Sequence, residues 1–266
     1  MPQKTVTTPV HDVACKYNAR IKEFPEHVEI ACFSVPVFNP MGFEEYHTPK
    51  QEAIRLREEM RRLRTGEKRV YKKNDTSRND NIQRAKKKAL EIAYANDFQY
   101  FVTFTLDEQK VDRYGREEVL RVFKNWLDNT ARRRDMQYLI FPEFHKDGAV
   151  HFHGIVAGRL DMRDSGHKTA YGQTIYNCEN WKLGFTTAVK LDSQKSKVVS
   201  YIMKYITKEN KRVFGKHYFA GGKGLRREVP TTYKNMDIHA LEGTYYKIPN
   251  APLGVKYVTI PKEVDL

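Results

Sequence analysis

The run from Phe141 to Gly158 constrains the fold more than any other part of the chain: Phe-Pro-Glu-Phe-His-Lys-Asp-Gly-Ala-Val-His-Phe-His-Gly-Ile-Val-Ala-Gly. Lys146-Asp147-Gly148 is a turn signal between two apolar runs, which is how a β-hairpin is written. Side chains at i and i+2 of a strand share a face. His151 and His153 therefore project together, with Val150 and Phe152 on the opposite face. The incoming strand, Gln137 to His145, carries Glu143. Paired with His151 or His153, Glu143 adds a carboxylate to the two imidazoles; a one-residue slip sends it to the other face. Two imidazoles and a carboxylate with open coordination positions form a site for a divalent metal that must still bind substrate. His145 is an alternative third ligand if the register sets it beside a histidine, and otherwise a structural residue. A His-x-His pair alone is a weak sign of metal; the glutamate and the turn strengthen it.

A chain of 266 residues admits one domain with extensions, or two. Its 47 Lys and Arg against 33 Asp and Glu give a formal net charge of +14, which suits a polyanion, nucleic acid by default. Sixteen Tyr and fourteen Phe supply stacking surface of the kind single strands use. Cys15, Cys32 and Cys178 are odd in number and form no Cys-x-x-Cys pair, so neither a disulfide framework nor a cysteine zinc site is written. No apolar run approaches the roughly 18 residues of a membrane span. The N-terminus lacks the apolar core of a signal peptide. A reducing, cytoplasmic setting is the expectation.

Along the chain, His27 to Phe38 is apolar enough for one or two strands, interrupted by Pro36. His11 and Cys15 have helical i, i+4 spacing but no second pair to make a metal site. Gln51 to Arg64 reads as a highly charged helix, better explained as a solvated face than as a DNA arm. Thr65 to Asn81 reads as a polar loop. Ile82 to Ala95 is helical, with Ile82, Ala85, Ala89, Ile92 and Ala93 at the spacing of one face. Tyr100 to Leu106 is a strand with Thr103 and Thr105 on one face and Val102, Phe104 and Leu106 on the other. Glu117 to Arg134 is a helix packed through Val119, Phe123, Trp126 and Leu127. Asp161 to Asn180 reads as an irregular excursion, and Phe185 to Leu191 as a strand.

Lys195 to Asn210 forms a second constellation. At about 100° per residue, Val198, Val199, Ile202 and Ile206 fall on one arc, and Tyr201, Lys204, Tyr205 and Lys208 on another. Residues four apart are neighbours on a helix, so two phenols could take turns at one site. Tyrosine ionises near pH 10 and is a poor nucleophile alone. Lys204 and Lys208 are placed to favour the phenolate. The plainer reading is two half-buried tyrosines with snorkelling lysines.

A His–hydrophobic–His strand followed by Tyr201-Ile-Met-Lys-Tyr205-Ile-Thr-Lys208 resembles the HUH endonuclease superfamily. The likeness is closest to two-tyrosine, microvirus-type rolling-circle replication initiators of small single-stranded DNA phages and related plasmids. Phe101-Val-Thr-Phe-Thr-Leu106 is similar to the first strand motif, and Glu143 with His151-Phe152-His153-Gly154 to the metal motif. The three occur in order over roughly residues 98 to 227. The combination is specific; each motif alone is not. The resemblance implies an α+β fold, with a central antiparallel sheet of about five strands flanked by helices (ferredoxin/RRM-like). It implies an endonuclease domain over 78–228, between an N-terminal extension, 1–77, and a C-terminal extension, 229–266. It also implies a site-specific nick in single-stranded DNA at an origin, a tyrosine linked to the 5′ phosphate, and rejoining through the second tyrosine. Tyr201 and Tyr205 would be the nucleophiles. Lys204 and Lys208 would stabilise charge or grip phosphate. His151, His153 and Glu143 would hold Mg2+ or Mn2+.

Lys223, Arg226 and Arg227 follow in a glycine-rich stretch whose amides could approach DNA phosphates; an ordinary surface loop fits it equally well. No helicase P-loop motif occurs, so unwinding and copying would fall to a host helicase and polymerase. A transposase or relaxase of the same superfamily is the nearest alternative. A single-stranded DNA-binding module that has lost catalysis is the non-enzymatic one.

Overall fold

A computed structural model describes residues 16–38, 75–191, 195–206, 213–247 and 254–262. The charged helix read over 51–64, the His11–Cys15 spacing and Lys208 lie outside these residues. The architecture is α+β, with two antiparallel sheets of five and seven strands. The chain divides into two compact units: residues 74–229, and residues 1–73 together with 230–266.

The first unit carries α1 (Asp75–Ala95), β3 (Tyr100–Leu106), α2 (Arg116–Arg134), β4 (Gln137–Phe144), β5 (Val150–Ala157), β6 (Met162–Lys168), β7 (Thr174–Cys178), β8 (Gly184–Lys190), α3 (Lys195–Ile202) and β9 (Phe219–Gly221). Its strand order is β6-β7-β8-β3-β5-β4-β9, so the sheet is wider than the five strands expected. The excess comes partly from β6 and β7, a hairpin in the segment read as irregular. Its side chains are mostly exposed or intermediate, so it carries no apolar alternation to betray it. The backbone ladder and a hydrogen bond from Ser165 Oγ to the Ile175 carbonyl hold it instead.

Two apolar layers sandwich the sheet. On one face Val102, Phe104, Val150, Phe152 and Val156 pack with Val119, Phe123 and Leu127 of α2 and with Trp181. Phe123 and Phe152 stack with centroids 3.7 Å apart. On the other, Leu139, Phe141, Ile155 and Ala157 pack with Ile82, Ala89, Ile92 and Ala93 of α1 and with Val199 and Ile202 of α3. His151 and His153 share strand parity with Ile155, so they emerge on the α1/α3 side, just past the end of its packed core. Gly154 allows β5 and β4 to close up. A Cβ there would meet the Leu139 carbonyl oxygen at 2.5 Å and the Ile140 Cα at 2.8 Å.

The second unit is a five-stranded sheet, β10-β1-β2-β12-β11. Its strands are β1 (Lys16–Glu23), β2 (His27–Phe38), β10 (Thr231–Lys234), β11 (Thr244–Lys247) and β12 (Gly254–Pro261). Segments read separately as N- and C-terminal extensions thus lie in one sheet. Ala19, Ile21, Ile30, Cys32 and Ile238 form its core, with Val28, Met236, Leu241 and Val258 packed around them. No helix among the described residues is long and apolar enough to cross a membrane.

Candidate active site

The β4–β5 hairpin closes on the turn that the sequence announces. The His145 amide donates to the Ala149 carbonyl at 2.8 Å, and the Gly148 amide to the His145 carbonyl at 2.9 Å. Gly148 takes φ +89°, a backbone region that costs glycine little. The Asp147 carboxylate accepts from the Ala149 amide at 2.9 Å. That bond holds its carboxyl below the usual range, with Arg113 and His145 adding charge. The register then pairs Glu143 with His151 and Phe141 with His153. Glu143 therefore lies on the face of the two imidazoles, and its Oε2 stands 3.2 Å from His153 Nε2.

His153 is held at both nitrogens. Its Nδ1 lies 3.1 Å from Thr103 Oγ1 on the neighbouring strand, where the register pairs Thr103 with His153. Sequence reasoning set Thr103 on the correct face but missed this contact; the signal lay in the position of Thr103 opposite the second histidine. Burial drives the His153 pKa down to about 4, helped by His151 and Lys204. At neutral pH the ring is uncharged, so the 3.2 Å approach of Glu143 is a polar contact rather than an ion pair. Burial pushes the Glu143 carboxyl up, against the opposing charges of Lys204 and His145.

Four rings continue outward from the hairpin in near-parallel array. His145 stacks on His151 with centroids 4.8 Å apart. His151 and His153 are separated by 6.5 Å. Tyr205 lies on His153 at 4.5 Å, with its ring plane tilted by only 4°. Tyr201 meets Tyr205 edge-on at 6.1 Å. Lys204 spans the phenols, its Nζ 3.7 Å from the Tyr201 centroid and 4.9 Å from that of Tyr205.

The two tyrosines do not occupy equivalent positions, contrary to a uniform amphipathic helix. The α-helix stops at Ile202 and gives way to a 3₁₀ turn, Met203–Tyr205. A 3₁₀ turn advances about 120° per residue instead of about 100°. Over three residues that carries Tyr205 roughly 60° further round, into the arc of Val199 and Ile202. Tyr205 is 5% exposed, whereas Tyr201 is 50% exposed. Their acidities diverge accordingly. Hydrogen bonds from Lys204 and Tyr205 lower the Tyr201 pKa. Burial, and then the Tyr201 hydrogen bond, raise that of Tyr205.

His151, His153, Glu143, Tyr201, Tyr205 and Lys204 thus gather at one end of one sheet face. Lys223, Arg226 and Arg227 do not join them; they lie on the loop after β9. There the buried Asn96 side chain pins Arg226 through bonds to its amide and its carbonyl, each 2.8 Å. Gln137 donates to the Lys223 carbonyl at 3.0 Å. The Arg227 guanidinium donates to the Ala220 carbonyl, which gives it a bracing role in the loop.

The donor set suits a hard or borderline divalent ion. Donors at about 2.1 Å and at right angles to each other stand about 3 Å apart, close to the His153–Glu143 separation. Among the described residues, no three His, Cys, Asp or Glu side chains converge as a complete ligand set. The His151 ring is stacked on His145.

Residues 99–210 match the family model of replication-associated protein ORF2/G2P. The matched segment covers about two-fifths of the chain and contains β3, β4, β5 and α3, hence every residue of the ring array and Thr103. Lys223, Arg226 and Arg227 lie beyond it. No curated protein and no solved structure matches the chain.

Proposed function

We propose that the chain is a rolling-circle replication initiator of the HUH type, which nicks and rejoins single-stranded DNA at an origin. The likeness to replication-associated proteins supports the biological setting and favours an initiator over a transposase or relaxase. The observation that carries the chemistry is the packing of two tyrosines against the His153–Glu143 pair, with Lys204 over both rings.

In this reading Tyr201 acts first. It is exposed, and Lys204 and Tyr205 both favour its phenolate. The phenol gives up its proton to solvent, and its oxygen attacks the phosphorus of the target phosphodiester. A bond forms between that oxygen and phosphorus as the bond from phosphorus to the 3′ oxygen breaks. The 3′ oxygen takes up a proton and is left as a primer end, while the 5′ phosphate stays on Tyr201. In the second round, once the 3₁₀ turn releases it from His153, Tyr205 attacks the regenerated origin phosphodiester, and a bond from its oxygen to phosphorus forms as the bond to the 3′ oxygen breaks. The liberated 3′ hydroxyl then attacks the phosphate held by Tyr201, which joins the ends of the displaced strand as the bond from phosphorus to the Tyr201 oxygen breaks and that phenol regains a proton.

His151, His153 and Glu143 would hold Mg2+ or Mn2+. When bound, such an ion withdraws charge from the phosphate oxygens and orients them. Lys204 adds positive charge beside the reacting phosphate, and Lys208 is assigned the same role from the sequence pattern alone. A host helicase and polymerase supply unwinding and copying.

Tyr201→Phe/Tyr205→Phe tests the assignment. The double variant should form no covalent adduct with single-stranded DNA on a denaturing gel, yet bind it as the parent does. An adduct of undiminished yield would refute both tyrosine roles.

A further inference from the structure

The five-stranded sheet of the second unit has a face that the described residues do not use for their core. Residues paired directly across an antiparallel ladder lie on the same face, so the register identifies both faces. Ala19, Ile21, Ile30, Cys32 and Val258 point to the core. The intervening positions form the other face. One row crosses all five strands: Tyr233 pairs with Arg20, Arg20 with Ala31, Ala31 with Tyr257 and Tyr257 with Thr244. A neighbouring row places Lys22 between Thr231 and Glu29, with Thr259 beyond. On the other side Phe33, Val255 and Tyr246 align.

This face carries open aromatic rings. Tyr233 is 37% exposed, Tyr246 53% and Tyr257 55%. Tyr17 backs Tyr233 at 4.7 Å, and Tyr246 and Tyr257 lie 6.0 Å apart. Ala31 is a low floor between Arg20 and Tyr257, which stand two strand intervals apart, about 10 Å. The result is a shallow trough with a guanidinium on one wall and a phenol on the other. Charge points the same way. Arg20 and Lys22 are the cations of the two rows, and Glu29 is the one acid on this face among the described residues, itself 3.6 Å from His27.

We propose that this face binds single-stranded DNA. Tyr233, Tyr257 and Tyr246 serve as platforms for unpaired bases, and Arg20 and Lys22 sit against the phosphates. Exposed aromatics on an open sheet can stack bases only when those bases are unpaired, because a duplex hides their faces. The inference rests on the reading that the chain acts on a single strand. It gives the second unit a strand-binding task of its own.

The test is fluorescence anisotropy of the full chain with a labelled oligothymidylate and no divalent ion. The same preparations are also run for covalent adduct on a denaturing gel with Mn2+. Tyr233→Ala and Tyr257→Ala should each weaken binding about tenfold, and the Phe variants should stay within about twofold of the parent. Arg20→Gln should reduce the slope of log affinity against log salt by about 0.7. Parent-like binding by Tyr233→Ala/Tyr257→Ala, with unaltered circular dichroism, overturns the inference while an adduct from the parent keeps the nicking function intact. Binding lost with the two tyrosines but no adduct from the parent does the reverse. A parent chain that fails to bind overturns the inference outright.

Discussion

The Tyr205 phenol lies flat on the His153 imidazole, with ring centroids 4.5 Å apart and planes 4° apart. The ring that sequence places beside Tyr201 as an equivalent nucleophile is thus packed against a candidate metal ligand. Tyr201, one turn earlier, stays open. The asymmetry supports a fixed order of action.

Single substitutions separate the two roles. Tyr201→Phe should slow the first cleavage by at least about 10³-fold, as loss of a nucleophile does. Tyr205→Phe should leave the first cleavage within about tenfold of the parent and block rejoining. Cleavage and rejoining of an end-labelled strand, resolved on one sequencing gel, measure both. Equal loss of first cleavage in the two variants would contradict the order.

Thr103 is predicted to tune ion binding without touching the ion. Its hydroxyl lies 3.1 Å from His153 Nδ1, and a partner in that position fixes which imidazole nitrogen faces outward. Thr103→Val should lower Mn2+ affinity about 10- to 100-fold by titration calorimetry. An unchanged affinity would remove Thr103 from the site.

Gly154→Ala should cost about 1–3 kcal/mol of stability through crowding. The added methyl group would run into the Leu139 carbonyl and the Ile140 backbone. The denaturant midpoint should fall with little change in slope. A midpoint equal to the parent's would show that the strands can spread.

The turn at Asp147 should contribute a pH-dependent part of stability. Its carboxyl is held below the usual value of 3.8, chiefly by the Ala149 amide. A carboxyl depressed in the folded state stabilises fully above its unfolded value. That contribution fades as pH falls through the folded value. Asp147→Asn keeps an acceptor oxygen but has no charge to lose. Melting temperature against pH should show the parent's advantage over the variant shrinking below about pH 4; a constant gap would contradict this.

Local signals carried much of the first unit. The alternation Val150-His151-Phe152-His153 and the Asp147-Gly148 turn give the hairpin. Thr103 and Thr105 fall on the expected face, and Val119, Phe123 and Leu127 face the core. Three features resisted. The α-helix gives way to a 3₁₀ turn after Ile202 with no cap residue to mark the change, so uniform helical spacing sets Tyr205 on the wrong arc. The β6–β7 hairpin is held by backbone bonds and shows no apolar alternation. The second sheet joins Arg20 to Tyr233 and Ala31 to Tyr257 across more than two hundred residues, and neither end of such a pairing leaves a mark on the local sequence.

The central claim is that Tyr201 becomes bonded to DNA. Incubation of the full chain with Mn2+ and a random-sequence single-stranded library, followed by tryptic digestion and mass spectrometry of the covalent fraction, tests it directly. The account predicts a nucleotide 5′-phosphate on the peptide containing Tyr201 during the first turnover. A covalent fraction confined to some other residue, or none at any sequence in the library, would contradict it.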